Sequence, residues 1–203
     1  MVKKKAAGKW VIGTLTAVIL LLAVFAGICI YVDPFCHYHA PLDGYDYSTW
    51  SNVQYLNDGI IRCYDYGGII TGSSMTENFK ASEAEELFGV SFIKIPLAGG
   101  GFKEMNTQLE RVYARGKNPK YVIRSLDDYA ITQNKDESRR DLSENEYLYN
   151  DNVFDDVNYL FNLKVFTRYT LTILEHPLNG GGENHPLILT AIAAGVIRPA
   201  RKR

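Results

Sequence analysis

The sequence predicts an α/β protein in which an N-terminal transmembrane helix is followed by a parallel-sheet domain. Three observations predict it. Trp10 to Val32 runs 23 residues without a charge, long enough to cross a hydrocarbon core of about 30 Å as a helix. Between residues 68 and 126, short runs of β-formers alternate with stretches of helical period, the pattern of βαβ units and a parallel sheet. Each β run ends in glycine, serine or aspartate, at 72–75, 98–101 and 127–128. In a parallel sheet all three of those loops leave by one edge.

Residues 1–9 carry Lys3, Lys4, Lys5 and Lys9, and Asp33 follows the apolar run. This charge asymmetry places residues 1–9 in the cytoplasm, makes 10–32 an uncleaved signal anchor and puts the rest outside. A cleaved signal peptide competes. Its apolar region would be shorter and a small-x-small site would follow, whereas Ala23-Val24-Phe25-Ala26 is bulky in the middle and more apolar sequence follows it.

Residues 33–62 read as an extracytoplasmic stalk, because Pro34 and Pro41 oppose regular structure. His37 and His39 fall on one side of an extended segment, but a zinc site needs three or four protein ligands. Isolated surface histidines are the expectation, and no metal is called for. Tyr45, Tyr47 and Trp50 either rest at the membrane interface or pack on the domain. Of the three cysteines, Cys29 falls in the span. Cys36 and Cys63 lie outside, where a disulfide is permitted, yet nothing in the sequence brings them together and two free thiols are expected.

The domain proper is read over 63–170. The first strand is Gly68 to Thr71. Ser82-Glu83-Ala84-Glu85 has the form of a capping box, with Gly89 as the helix stop. The second strand is Val90 to Ile95. After the glycine loop, Phe102, Met105, Leu109 and Val112 form one helical stripe, ended by Gly116 and Pro119. The third strand, Tyr121 to Leu126, delivers Asp127 and Asp128. The three strands are expected in the order of a flavodoxin-like sheet. Residues 133–152 are polar and read as a solvated loop or edge. Phe154, Val157, Leu160 and Phe161 restore a helical stripe, with Asn152 as a possible N-cap. Residues 171–203 form an atypical tail with a glycine break at 180–182 and a short apolar run.

With 203 residues and 12% aromatics the chain suits one domain plus extras, and a net charge of -1 gives no support for nucleic-acid binding. Neither the composition nor any spacing implies a cofactor. The chemistry centres on Gly72-Ser73-Ser74, where a strand meets a polar helix start. A serine there exposes its Oγ beside N–H groups that favour negative charge, which suits a nucleophile with an oxyanion site. The plainer reading is that Gly72 makes the turn and Ser73 or Ser74 caps the helix.

Gly72-Ser73-Ser74-Met75, the loop at 99–101 and the strand ending in Asp127 together resemble the membrane-anchored SGNH/GDSL-type hydrolase-like proteins of Gram-positive bacteria. So does the wider string from Asp33-Pro34 through Asn57-Asp58-Gly59-Ile60 to Thr76-Glu77-Asn78-Phe79. The resemblance runs over roughly residues 10 to 170. It implies Ser74 as nucleophile, with Ser73 where the family has aspartate. It also implies Gly100 or a neighbour as oxyanion donor, and Asp127 where the family has asparagine. An ionised aspartate donates no hydrogen bond. The family's C-terminal Asp-x-x-His has no counterpart, since Ile173 stands three before His176 and Gly182 three before His185. A truncated or frameshifted C-terminus would account for that and for the atypical tail.

Three functions follow as expectations. The first is an esterase or acyltransferase lineage working on cell-envelope glycans or lipids through acyl-Ser74, with this chain inactive for want of a base. The second is a non-catalytic binding or structural envelope protein on the same scaffold. The third is a phosphate-bearing ligand at the first βα loop.

Overall fold

A computed structural model describes residues 2–45, 47, 53–128, 146–175 and 177. The chain is α/β, with a three-stranded parallel sheet and one long apolar N-terminal helix. The helix, α1, runs Val2–Val32, and its apolar span Gly8–Val32 is long enough to cross a membrane. Side chains such as Leu20 and Leu21 lie exposed along it. Its last turn differs, because Cys29 and Val32 are fully buried in the domain core.

The stretch expected to be an irregular stalk is instead tightly folded. Asp33 takes a left-handed backbone at φ 43°, which aspartate tolerates better than most residues. Its carboxylate has no exposed surface. Oδ1 accepts the His37 N–H at 2.9 Å and the Tyr159 hydroxyl at 2.7 Å. Oδ2 accepts the N–H groups of Tyr38 and His39 at 2.6 and 2.9 Å. A short 3₁₀ turn, Val53–Leu56, leads into α2, Asn57–Cys63. Tyr47 packs on the domain and its hydroxyl donates to Val32 O. Trp50 lies outside the described residues.

The sheet follows the expected alternation. Strand β1 is Gly68–Gly72, β2 is Phe92–Pro96 and β3 is Tyr121–Arg124, so β2 starts two residues later than expected and β3 stops two earlier. The order is β2-β1-β3, all parallel, with Thr71 opposite both Ile95 and Arg124. Leu126 lies past the end of β3 and is exposed. Helix α3, Ala81–Phe88, covers one face, where Ile70, Phe92, Ala81 and Ala84 pack. Helix α4, Phe102–Ala114, and α2 cover the other, where Ile61, Ile69, Ile93, Ile95 and Val112 pack. Crossovers of constant hand put α3 and α4 on opposite faces when the chain steps out to β2 and back to β3.

The capping box is not used. The N-cap of α3 is Lys80, which puts Ser82 inside the helix, and Glu85 instead accepts the Phe92 N–H at 2.8 Å. Gly89 does end the helix, at φ 67°.

The second half folds onto α1. A 3₁₀ turn, Glu146–Leu148, buries Tyr147 and Leu148, so the polar stretch ends in core rather than solvent. Residues 129–145 lie outside the described set. Helix α5 is Val157–Leu160, α6 is Leu163–Val165, and α7, Leu171–Glu175, follows a π turn at Phe166–Thr170. Asp156, not Asn152, is the N-cap of α5. The helical stripe divides: Phe154 is 83% exposed and Val157 57%, whereas Leu160 packs on the core around α1.

A second buried carboxylate joins α2 to α4. Asp58 is bonded by Arg62 at 2.9 Å, by Arg111 at 2.6 and 2.8 Å and by Arg115 at 3.4 Å. Asp151 takes Arg115 as well, at 2.6 Å, which holds its own carboxyl below the usual range.

Asp33 yields a stability prediction. Asp33→Ala strands four donors in the core, each worth about 1–3 kcal/mol when unpaired, so a loss of about 3 kcal/mol or more is expected in thermal melts of detergent-solubilised protein. Asp33→Asn, which keeps the left-handed tolerance and one acceptor oxygen, is expected to lose less. Equal melting of Asp33→Ala and the parent would refute the role.

Candidate functional site

The candidate site is the carboxyl edge of the sheet, where β1 meets β3. The strand order reverses there, and ligands of open α/β sheets bind at such switch points. Gly72 ends β1 at φ +152°. A Cβ at Gly72 would meet Ser125 Oγ at 2.1 Å and Thr76 Cγ2 at 2.6 Å, so only glycine lets β1 lie this close to the end of β3.

The next residues form a 3₁₀ turn, Ser74–Asn78, not the start of an α-helix. Ser73 is its cap: Oγ accepts the Met75 N–H at 3.3 Å, and the Ser73 carbonyl accepts from Thr76 N–H and Oγ1 at 3.1 and 2.5 Å. The plainer sequence reading therefore describes Ser73. Ser74 is exposed, with no side-chain hydrogen bond among the described residues. From below, Lys94 on β2 fixes the turn. Its Nζ donates to Glu77 O at 3.1 Å and Phe79 O at 2.9 Å. Burial lowers its pKa.

Across the switch point, Ser125 Oγ and Asp127 Oδ2 are buried atoms with no hydrogen-bond partner among the described residues. Asp127 therefore stands at the same edge as Gly72, by way of Ser125, and forms no hydrogen bond to Ser74. Gly100 lies in the loop after β2, but its N–H donates to Leu97 O at 2.9 Å, and the Gly101 N–H donates to Glu104 Oε2 at 2.9 Å. Both donors are engaged within the loop rather than aimed at a ligand. Arg124, which the sequence did not single out, grips the start of α4 through Asn106 Oδ1 at 2.5 Å and Phe102 O at 3.2 Å.

Neither of the two described histidines, His37 and His39, bonds Ser74. His37 is buried and its Nε2 meets Asp156 Oδ1 at 3.0 Å, so the expectation of an isolated surface histidine is corrected. His39 is half-buried. Its Nδ1 faces Ala40 O at 2.6 Å and its Nε2 faces Ile30 O at 2.9 Å. Two carbonyls require two N–H donors, which favours the imidazolium. Burial opposes that charge, but the carbonyls and Asp33 prevail and the pKa is raised above its ordinary 6.5. No group of three metal-ligating side chains occurs among the described residues. His176 and His185 lie outside that set.

The cysteines are unpaired. Cys63 donates its S–H to Cys36 O at 3.8 Å, and burial pushes the Cys63 thiol up to about 11. Neither Cys36 nor Cys63 is a reactive thiolate at neutral pH.

No family model, curated relative or solved structure matches the chain.

Two predictions arise here. Gly72→Ala adds a Cβ inside contact distance of Ser125 and at a strained φ, so a loss of about 2 kcal/mol is expected by chemical denaturation. A neutral result would mean that β1 and β3 can separate at this edge. The second concerns pH. His39 binds its proton more tightly folded than unfolded, so its contribution is complete below its ordinary pKa of 6.5 and is lost as pH rises through the raised value. Melting of the parent should fall over that window relative to His39→Gln, and parallel pH curves would contradict the imidazolium.

Proposed function

We propose that this chain is a single-pass membrane protein with its domain outside the cell, of the SGNH/GDSL-type hydrolase lineage: an esterase or acyltransferase scaffold for cell-envelope glycans or lipids. In this reading Ser74 is the acyl-accepting residue, and the form described here does not turn over by itself. The observation that carries the reading is the exposed Ser74 hydroxyl at the β1 end, beside a glycine-only contact with β3. The parallel order β2-β1-β3 supports a flavodoxin-like reading, in which ligands sit at the β1/β3 switch point.

Anchoring is supported by α1 itself. Its exposed apolar side chains have no cover among the described residues, while Cys29 and Val32 belong to the domain core. Cleavage within the helix would strip that core, which favours an anchor over a signal peptide. Trp10 and Tyr31, both exposed, bracket a 21-residue rise of about 31 Å, matching a hydrocarbon core between two aromatic belts.

Lack of turnover follows from the surroundings of Ser74. No described histidine bonds it, and a positioned base is typically worth about 10²–10⁴ in rate. The non-catalytic binding protein is the second reading, favoured by the engaged Gly100 N–H.

Added imidazole separates the two. Full-length protein and Ser74→Ala, which should fold alike because the residue is exposed, are assayed on p-nitrophenyl acetate and an O-acetylated glycan. The expected result is no Ser74-dependent turnover alone, and a parent rate that climbs above the Ser74→Ala rate as imidazole is added. Identical rates at every imidazole concentration would reject the hydrolase lineage and favour the binding protein. Ser74-dependent turnover without imidazole would place a base among residues outside the described set.

A further inference from the structure

We propose that the segment from Val153 to Leu163 is a second membrane contact, an apolar wedge seated in the acyl boundary of the leaflet that α1 enters last. This rests on the anchor reading of α1.

Sequence period marks a helical stripe here, and while Tyr159 and Leu160 pack on the core, the other large apolar side chains of the segment face outward. Val153 is 70% exposed, Phe154 83% and Leu163 67%. A soluble domain seldom leaves such a run uncovered. The fold shows what lies next to it. Phe25 of α1 stacks on Phe166 at 4.3 Å between ring centroids and on Phe161 at 6.3 Å.

Phe25 fixes the depth. It lies six residues before Tyr31, so it sits about 9 Å below that aromatic belt along the helix. Any element that touches Phe25 from the side is at the same depth, and when α1 spans a bilayer the medium there is acyl chain. Interfacial segments bury their apolar faces by about 5–10 Å, the depth this contact requires. The polar groups place the run at a boundary rather than across the bilayer, since Asn158 is exposed within it. Lys164 and Arg168 are exposed next to the apolar run, where long cationic side chains reach the headgroups. Backbone polarity is met along much of the run: the N–H groups of Tyr159, Leu160 and Phe161 donate to carbonyls one helical turn back, and those of Phe154, Lys164 and Val165 donate to the side chains of Asn152 and Asn162. A bilayer tolerates only such segments.

A second copy of the chain is a weaker fit for this patch. It would have to approach at a depth where lipid already surrounds α1. The bilayer is continuous with the exposed apolar side of α1 and needs no further partner.

Depth-dependent fluorescence quenching tests the wedge. Full-length protein with Trp10→Phe and Trp50→Phe receives one new tryptophan, by Phe154→Trp, Leu163→Trp or Leu21→Trp, and is placed in phosphatidylcholine nanodiscs with bromine near the headgroup or near the chain end. Leu21 is midway between Trp10 and Tyr31 and reports the anchor. The expected result is blue-shifted emission for Phe154→Trp and Leu163→Trp, with greater loss of intensity from shallow bromine, and greater loss from deep bromine for Leu21→Trp. Deep quenching at Leu21→Trp with water-like, unquenched emission from the other two overturns the wedge and leaves the anchor standing. Blue-shifted but unquenched emission at Phe154→Trp in a nanodisc holding two copies overturns it in favour of a dimer. An unquenched Leu21→Trp removes the anchor and the wedge together.

Discussion

A charged group with no exposed surface stands where α1 ends. Taking a carboxylate out of water costs several kcal/mol unless every oxygen is paired, and Asp33 meets that demand with four donors. Three of them are successive backbone N–H groups, which forces the chain to wrap around the carboxylate between His37 and His39. The fourth is the Tyr159 hydroxyl, 126 residues away in sequence. The carboxylate therefore fixes three things at once: where α1 stops, how the chain turns after it, and which helix of the second half closes over it. The rest of the core around α1 follows from that arrangement, since Phe35, Tyr159 and Tyr169 pack as one aromatic group immediately beside it.

The sheet stands on different terms. Its strands are short, held by Ile69, Ile93 and Ile95 on one face and Ile70 and Phe92 on the other. Asp58 joins it to the rest, because the arginines that neutralise it come from α2 and α4. Arg62 also donates to His37 O. The two buried carboxylates thus share a partner segment, and the loop that Asp33 orders is the loop that Arg62 grips. Apolar burial holds the sheet together, while Arg62, with Ile60 and Cys63 packed on the core around the end of α1, ties α2 to the segment after α1.

This division explains what the sequence disclosed. The alternation over 68–126 was legible because strand and helix periods are local properties, and Gly72, Gly89 and the stripe through Met105 and Val112 sit where the periods demand. The candidate serine turn was legible for the same reason, although its 3₁₀ geometry and the engaged Gly100 N–H were not. Those depend on Lys94 and Leu97, which meet the turn and the loop only in three dimensions. The fold of residues 33–39 was hidden more deeply. Prolines and histidines spell a loop to any local rule, and the donors that make Asp33 a hub include one at the far end of the chain. Ser82-Glu85 failed in another way: the pattern is present, but Glu85 is drawn to the Phe92 N–H by the packing of α3 on β2. Period also disclosed the stripe at Phe154 and Val157 but not its surroundings, because periodicity reports an apolar face and not what covers it.

A consequence for the site follows from burial of Cys29 and Val32. A domain tethered by a flexible linker samples a wide range of heights and tilts. Here the last turn of α1 is inside the core, Asp33 is locked immediately after it, and Phe25 is stacked on the second half, so no free linker intervenes. The direction in which the carboxyl edge of the sheet faces is then set by the axis of α1. In the anchored reading, Ser74 is presented at one height above the bilayer, and the molecules that can reach it are those that the envelope holds at that height. Under this constraint, selectivity would come from the position of the edge as much as from pocket chemistry. That suits a site whose first contact is a single exposed hydroxyl at the end of a strand.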